Sequence, residues 1–360
     1  MIRFFYMKKA GVFIIILFLT GIVLTGCQTR EKSEERRGIV LFPSDIISLG
    51  SLETINIISR GELNLLGIHA NTISVNPAGG FENLPALRNF LESEEGKLLV
   101  AECRRRSIDI EYETHALEEI LSRELFDEHP EYFRMDEKGV RQKNFNMCFH
   151  SEGAYLEIEK SLKEITEWMK PTTHRYFFWT DDNTNSFCHC ELCAPYTESE
   201  QALIYENKLL AILRKYDPSA TIAHLAYHNT LKAPVKIKPE EGVFLEFAPI
   251  SRDYSNALSD EQKQDLKDNL LIFPEHTAHI LEYWLDASMH SGWDRENLVK
   301  VPWKAENCYR DIIFYNVQGI KSITTFGTWM LNENYISRYG KDDLMKAVGE
   351  YGGVLKAILR

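Results

Sequence analysis

The 360-residue sequence has no glycine-rich phosphate loop, no G-x-S-x-G elbow and no nucleotide fingerprint, which sets aside nucleotide-driven and serine-hydrolase chemistry and any nucleotide or organic cofactor. Basic residues are scarce beside acidic ones, 41 Lys and Arg against 53 Asp and Glu. A chain this acidic repels a polyanion, so no nucleic-acid partner is expected. No Pro- or Ser-rich seam divides the chain, and with 44% apolar and 11% aromatic residues it can bury one large core as a single domain. The apolar run at the N-terminus, GVFIIILFLTGIVL, falls short of the ~20 residues a membrane span needs.

That short run belongs to an export signal. Arg3, Lys8 and Lys9 precede it and LTGC follows it, the pattern of a lipobox. Residues 1–26 are expected to be removed and Cys27 to be acylated, so that only lipid holds the exported protein to a membrane, facing the cell surface or the periplasm. Residues 27–38, mostly the charged TREKSEERRG, read as a tether, and residues 39–360 as the folded domain. Without the three leading bases the balance is 38 basic against 53 acidic residues, or −15. Six cysteines remain: Cys103, Cys148, Cys188, Cys190, Cys193 and Cys308. Outside the cytoplasm they can form disulfides or hold zinc. Cys103 and Cys308 fall in helical patterns and read as core.

Short apolar or β-rich runs alternate with helical patterns through the rest of the chain. The runs are LNLLGIHA (63–70), SIDIEYETH (107–115), FNMCFH (145–150), RYFFWTDD (175–182), TIAHLAYH (221–228), VFLEFAPI (243–250), HILEYWLD (279–286) and SITTFGTW (322–329). Eight strands alternating with helices predict a (β/α)8 barrel of the TIM type. Each run begins apolar and ends polar or aromatic, as it must if the chemistry sits at the C-terminal ends of the strands. Strand alternation sends Glu111, Glu113 and His115 to the barrel axis, together with Glu246 and with Glu282, Trp284 and Asp286. Five carboxylates are thus expected at one mouth, although strand-end glutamates also serve as ion-pair partners on a rim.

Six stretches carry a resemblance: HPEYF (129–133), MCFHSEGA (147–154), DDNTNSFCHCELC (181–193), LAYHNTLKAP (225–234), LEFAPISRDY (245–254) and LEYWLD (281–286). In this order they resemble the family called domain of unknown function 4838, over roughly residues 120–350. That family is similar to barrel glycoside hydrolases and typical of exported bacterial carbohydrate-utilisation proteins. The resemblance implies a sugar-handling barrel with an oligo- or polysaccharide partner. In barrel hydrolases of this class the fourth strand often ends on the general acid. Asp182 is therefore expected to be the acid and Asp181 its positioner, with Glu282 on the seventh strand as the second carboxylate. A carboxyl does this work when burial or a neighbouring charge raises its pKa. The alternative for Asp-Asp-Asn-Thr-Asn is a polar turn that caps the next helix. Because aspartate is short, a gap opposite Asp182 is expected, which favours inversion or substrate assistance over a retaining mechanism.

The spacing C-x-C-x-x-C at Cys188, Cys190 and Cys193 supplies three of the four ligands a structural zinc needs. Cys148, read as the end of the third strand, is the expected fourth, and His189 or His150 the substitutes. A disulfide among the four, or a set of buried thiols, are the alternatives. Trp179, Tyr227, Trp284 and Trp329 fall near strand ends, where flat rings stack on sugars, and His69 and His228 join them as substrate-binding candidates; each also reads as core or rim. The chain is thus expected to be a glycoside hydrolase, a carbohydrate-binding barrel without turnover, or a zinc-dependent hydrolase. The cysteine-rich pattern argues against the last, since catalytic zinc more often shows His and carboxylate ligands with an open position.

Overall fold

A computed structural model describes residues 35–70, 84–183 and 185–359. The expected signal segment, Cys27 and most of the tether lie outside the described residues. The strands are β1 (Arg36–Leu41), β2 (Leu65–Ala70), β3 (Asp109–His115), β4 (Arg175–Trp179), β5 (Thr221–Ala226), β6 (Val243–Phe247), β7 (His279–Glu282) and β8 (Ser322–Phe326). They close in sequence order into a barrel, with β1 parallel to both β2 and β8. The fold is the expected (β/α)8 barrel.

Around it run α1 (Pro43–Leu49), α2 (Ser51–Arg60), α3 (Leu84–Glu92), α4 (Glu94–Arg105), α5 (Leu117–Ile120) and α6 (Glu152–Trp168). They are followed by α7 (Glu198–Leu213), α8 (Asp260–Leu270), α9 (Ala287–His290), α10 (Ala305–Val317), α11 (Glu333–Tyr339) and α12 (Lys341–Ile358). Local chemistry sets where they start. Ser151 caps α6, and Thr197 with Glu200 and Ser259 with Gln262 form capping boxes on α7 and α8, satisfying amides that the first helical turn leaves unpaired. On α6 the buried residues Ala154, Ile158, Leu162 and Ile165 recur at helical spacing, so one stripe packs on the barrel. Among the described residues no helix is long and apolar enough to cross a membrane.

Eight strands were expected and eight are found among the described residues, but one differs. Residues 145–150 form no strand. They lie in the long excursion between β3 and α6, where Met147 meets Phe133 in an isolated antiparallel bridge and Phe145 takes a left-handed φ of 61° that interrupts extended backbone. The missing strand is β1, whose first three residues fall in the expected tether. Its two arginines do not prevent pairing, because each finds an acid at the barrel's N-terminal end: Arg36 with Asp109 at 3.1 Å and Arg37 with Glu35. At the other end, buried Asp45 accepts from the Trp329 amide at 3.2 Å and from Asn332 at 3.0 Å, tying the first turn of α1 to the loop after β8.

Candidate functional site

The loops at the C-terminal ends of the strands enclose a cavity of about 330 Å³, the rim where barrels of this kind place their chemistry. Its walls are rings: Phe42, Trp179, Tyr227, Tyr283, Trp293 and Phe326. Its polar groups include His69, His115, Asp182 and Asp286. A second cavity of about 270 Å³ adjoins it and shares His115, Asp182, Leu225 and Tyr227 with it. Asp182 therefore stands where the two meet. It is exposed, with the Tyr227 hydroxyl donating to Oδ2 at 3.4 Å. Asp181 turns away into a buried pair with Arg123 at 2.9 Å and lines only the second cavity. Burial pushes its carboxyl up to about 6, with Arg123 opposing the shift.

Asp286 is placed by a different device. It caps α9, and its Oδ1 accepts from the amides of Ser288 and Met289 and from the hydroxyls of Ser288 and Thr328 at 2.5–3.0 Å. All four bonds fall on one oxygen, which leaves Oδ2 as the atom to meet a ligand. Burial raises its pKa. His115 is oriented through Nδ1, 2.6 Å from the Thr180 carbonyl. A carbonyl only accepts, so Nδ1 carries a hydrogen. His69 packs edge-on against Phe326 at 5.1 Å and tilted against Trp179 at 5.3 Å, and burial holds its pKa well below the usual histidine value.

Beneath the cavity the barrel interior is polar. Trp179 Nε1 donates to Glu246 Oε2 at 2.7 Å, so a buried carboxyl fixes a ring of the cavity wall from below. Arg175 lies 3.3 Å from Glu111, and both oxygens of Glu113 lack a hydrogen-bond partner. Three carboxyls share one guanidinium. Burial, with Glu246 and Glu111 nearby, raises the Glu113 pKa well above its usual value, and burial pushes Glu246 up to about 8. Gly67 makes room for this group, since a β-carbon there would stand 2.9 Å from Glu113 Oε1. Glu111, Glu113 and Glu246 thus face the axis as expected, but they form the floor beneath the mouth and do not line the cavities.

The expected inward face of β7 is wrong. His279 bonds Ser322 and Thr324 inside the barrel at 2.8 and 2.9 Å, and Leu281 and Tyr283 line the cavity. Glu282 consequently points out to the helices, where it accepts from Arg252 at 2.9 Å and from Tyr315 on α10. Trp284 follows it, its ring tilted against Tyr351 of α12 and its Nε1 donating to Asp311 at 3.4 Å. Alternation tells which residues share a face but not which face is inside, and HILEYWLD has polar residues on both. Asp286 reaches the mouth only because the strand has ended by then. Trp329 also misses the cavity: it has a left-handed φ of 59° and lies under the Arg295 guanidinium, 5.1 Å from the ring. His228 is placed as expected, in the second cavity.

The four cysteines meet. Cys148, Cys188, Cys190 and Cys193 are buried and offer sulfurs within 4.8 Å of one another, although Cys148 comes from the excursion after β3 and not from a strand. Its sulfur lies 3.7 Å from that of Cys190 and 3.9 Å from that of Cys193. Bonded sulfurs would be near 2.05 Å, whereas a tetrahedron with metal–sulfur bonds of ~2.3 Å has an edge of about 3.8 Å. Surrounding bonds fit this as well, with the Met135 amide donating to Cys188 Sγ at 3.3 Å and His150 Nδ1 3.3 Å from Cys193 Sγ. His189 is exposed and outside the cluster. None of the four cysteines lines the two cavities. The segment that carries Cys148 is tied to the second cavity by Asn146, two residues earlier, which accepts from the Asp181 amide at 2.8 Å and donates to Ser186 at 3.0 Å.

The family model for a domain of unknown function, DUF4838, matches residues 89–284, more than half of the chain. The chain belongs to that family. Solved structures similar to this DUF4838 barrel include a tri-modular GH5 (subfamily 4) endo-β-1,4-glucanase from Bacillus licheniformis complexed with cellotetraose, with a TM-score of 0.52 and 10% identity over 89% of this chain and 59% of that one. The GH20 β-N-acetylhexosaminidase from Streptomyces coelicolor A3(2) matches with a TM-score of 0.44 and 14% identity, over 90% of this chain and 64% of that one. The chain spans about three fifths of the length of these enzymes. No curated protein matches it. What such distant likeness shows is the barrel fold. The DUF4838 match takes in the cysteine cluster and Asp182 and ends at Trp284, so Asp286 and Trp293 lie just beyond it. Of the six rings in the cavity wall, the sequence reading missed Phe42, Tyr283, Trp293 and Phe326. For Trp293 a signal existed, a bulky ring alone in the polar loop SGWDREN; it is 57% exposed on the rim.

Proposed function

We propose that this DUF4838 barrel is a glycoside hydrolase, with Asp182 as the proton donor and Asp286 as the carboxylate on the sugar side. The observation that carries the reading is the ring-walled cavity at the C-terminal mouth, which holds both aspartates. Sugar faces stack on rings such as Trp179 and the exposed Trp293, while hydroxyls take up the histidines and carboxylates. Asp182 borders both cavities. A bond lying between a sugar in the first and its leaving group in the second has its oxygen beside Asp182. In the reaction the C1–O bond breaks, the departing oxygen takes the Asp182 proton, and water bonds C1 and gives up a proton in return. Asp286 borders only the first cavity and acts on the sugar unit held there. Because Glu282 faces the helices, the expected separation between it and Asp182 no longer bears on stereochemistry.

Two further parts complete the proposal. The cysteine cluster holds one structural zinc, for which the sulfur separations and burial speak, and the zinc braces the loop from Asp181 to Cys193. The protein is exported and anchored by lipid on Cys27, as the LTGC stretch suggests. The deciding experiment is turnover of aryl glycosides and oligosaccharides by wild type and by Asp182→Asn. The variant should keep its fold and sugar binding and lose at least ~100-fold in kcat; full activity on an identified substrate would refute the assignment. A wild type that binds sugars without cleaving any would make the protein a carbohydrate-binding barrel. Zinc is checked by metal analysis of the purified domain, with close to one ion per chain expected. Lipidation is checked by membrane fractionation of Cys27→Ser.

A further inference from the structure

A third cavity, of about 460 Å³, lies between the loop after β5, the loop after β6 and the first turns of α8. It continues the first two: it shares His228 and Asn229 with the second cavity and Ile250 with the first. The three together make one groove that starts above the barrel axis, passes Asp182 and leaves the mouth over β5 and β6. His228 stands at the passage, and its backbone is bent to put it there. Its φ of 43° is left-handed, a conformation that a residue with a β-carbon avoids unless its surroundings hold it. Ser251 Oγ approaches its Nδ1 at 3.3 Å, which links the two loops across the groove.

The walls of the third cavity say what could lie in it. Leu231, Ala248 and Pro249 give an apolar side, while Asn229, Ser251 and Gln262 offer groups that both donate and accept. Its one lysine, Lys232, is committed to Asp265 at 2.6 Å and lies near Glu261. An anionic ligand would meet two carboxylates and no free cation. A neutral, polyhydroxylated ligand fits, since it can exchange hydrogen bonds with amides and hydroxyls and lay its C–H faces on the apolar side.

We propose that the substrate is an oligosaccharide whose departing portion runs from Asp182 past His228 into this third cavity, so that the protein selects its substrate by the length of the leaving group. The inference rests on the glycosidase reading and deepens it. A leaving group of one unit fills the second cavity; a second unit reaches Ser251 and Gln262. Efficiency then rises with chain length until the groove is full and stays level beyond that.

The test compares p-nitrophenyl monoglycosides with cello-, xylo-, manno- and chito-oligosaccharides of two to five units, on wild type and on Ser251→Ala/Gln262→Ala. For the sugar that is cleaved, kcat/KM should rise about tenfold between the aryl glycoside and the trisaccharide, the scale of one or two added hydrogen bonds. The double variant should lose most of that rise, so that its loss on the trisaccharide exceeds its loss on the aryl glycoside by about fivefold or more. An efficiency independent of length, or equal losses on both substrates in a variant with wild-type Tm, overturns the inference and leaves the glycosidase reading standing. If no sugar is cleaved, the same oligosaccharides are titrated calorimetrically into wild type. Affinity that grows with length and falls in the double variant supports the groove, affinity that does not contradicts it, and no binding by any sugar removes both readings.

Discussion

The two sides of the mouth each bring an aspartate to the same cavity, and they do so by unlike means. On the β4 side, Asp182 rides on a loop without regular structure that runs on to the buried cysteine cluster and is held by Asn146 bonding the Asp181 amide. On the β7 side, Asp286 is held by its own side chain, which caps α9 and takes four hydrogen bonds on one oxygen. The first arrangement fixes a backbone and leaves the carboxylate exposed; the second fixes the carboxylate itself. A proton donor that must reach a leaving group benefits from the first, and a carboxylate that must meet one sugar unit in a fixed pose benefits from the second.

That comparison can be broken from either side. The largest effect is expected at Asp286: Asp286→Ala removes a placed charge from the cavity and should lower kcat by about 100-fold, measured on any sugar that wild type cleaves. Retained turnover would leave Asp182 without its opposite carboxylate. Next comes the cluster. If the cluster holds the proposed zinc, stripping it with a chelator, or replacing Cys148 with Ser, should lower Tm by at least ~5 °C, and amide exchange should quicken across residues 181–193 while the segment capped by Asp286 stays protected. Exchange that quickens equally on both sides would mean that the two are not braced independently.

Glu282 tests the outward face of the same β7 stretch. Glu282→Ala breaks a buried pair with Arg252, which keeps Asp311 as a partner at 2.7 Å. It should cost about 3 kcal/mol of stability in denaturant titration while the folded protein keeps whatever turnover wild type shows. The smallest effect is a pH slope. Glu246 has its carboxyl pushed up from 4.5 to about 8 by burial, so its protonated form belongs to the folded state. Its contribution to stability is full below about pH 4.5 and is lost as pH rises through about 8. Wild-type Tm should therefore fall between pH 5 and pH 8, and Glu246→Gln, which still accepts from Trp179, should flatten that fall. An unchanged slope would mean that Glu246 is ionised in the folded protein.

Most of the barrel was legible because a parallel strand buried on both faces reads as a short apolar run; RYFFW and VFLEF need little else. β1 escaped because its paired arginines resemble the charged tether before it, and FNMCFH was mistaken for a strand because buried loop residues can alternate too. At the site, DDNTNSFCHCELC announced both its aspartates and its cysteines, since spacing within one loop survives folding. Asp286 was found on a false premise, as part of an inward face that turned out to point at the helices. The Asn146 brace could not be derived from local pattern, because its role exists only once distant loops meet over the barrel.

The most direct test sets Glu282, at the end of β7, against Asp286, just beyond it. On the sugar that wild type cleaves best, kcat/KM is measured for Asp286→Asn and Glu282→Gln after both are shown to be folded. The proposed site predicts a loss of about 100-fold for Asp286→Asn and wild-type turnover for Glu282→Gln. The opposite pattern, with Glu282 essential and Asp286 dispensable, would contradict it.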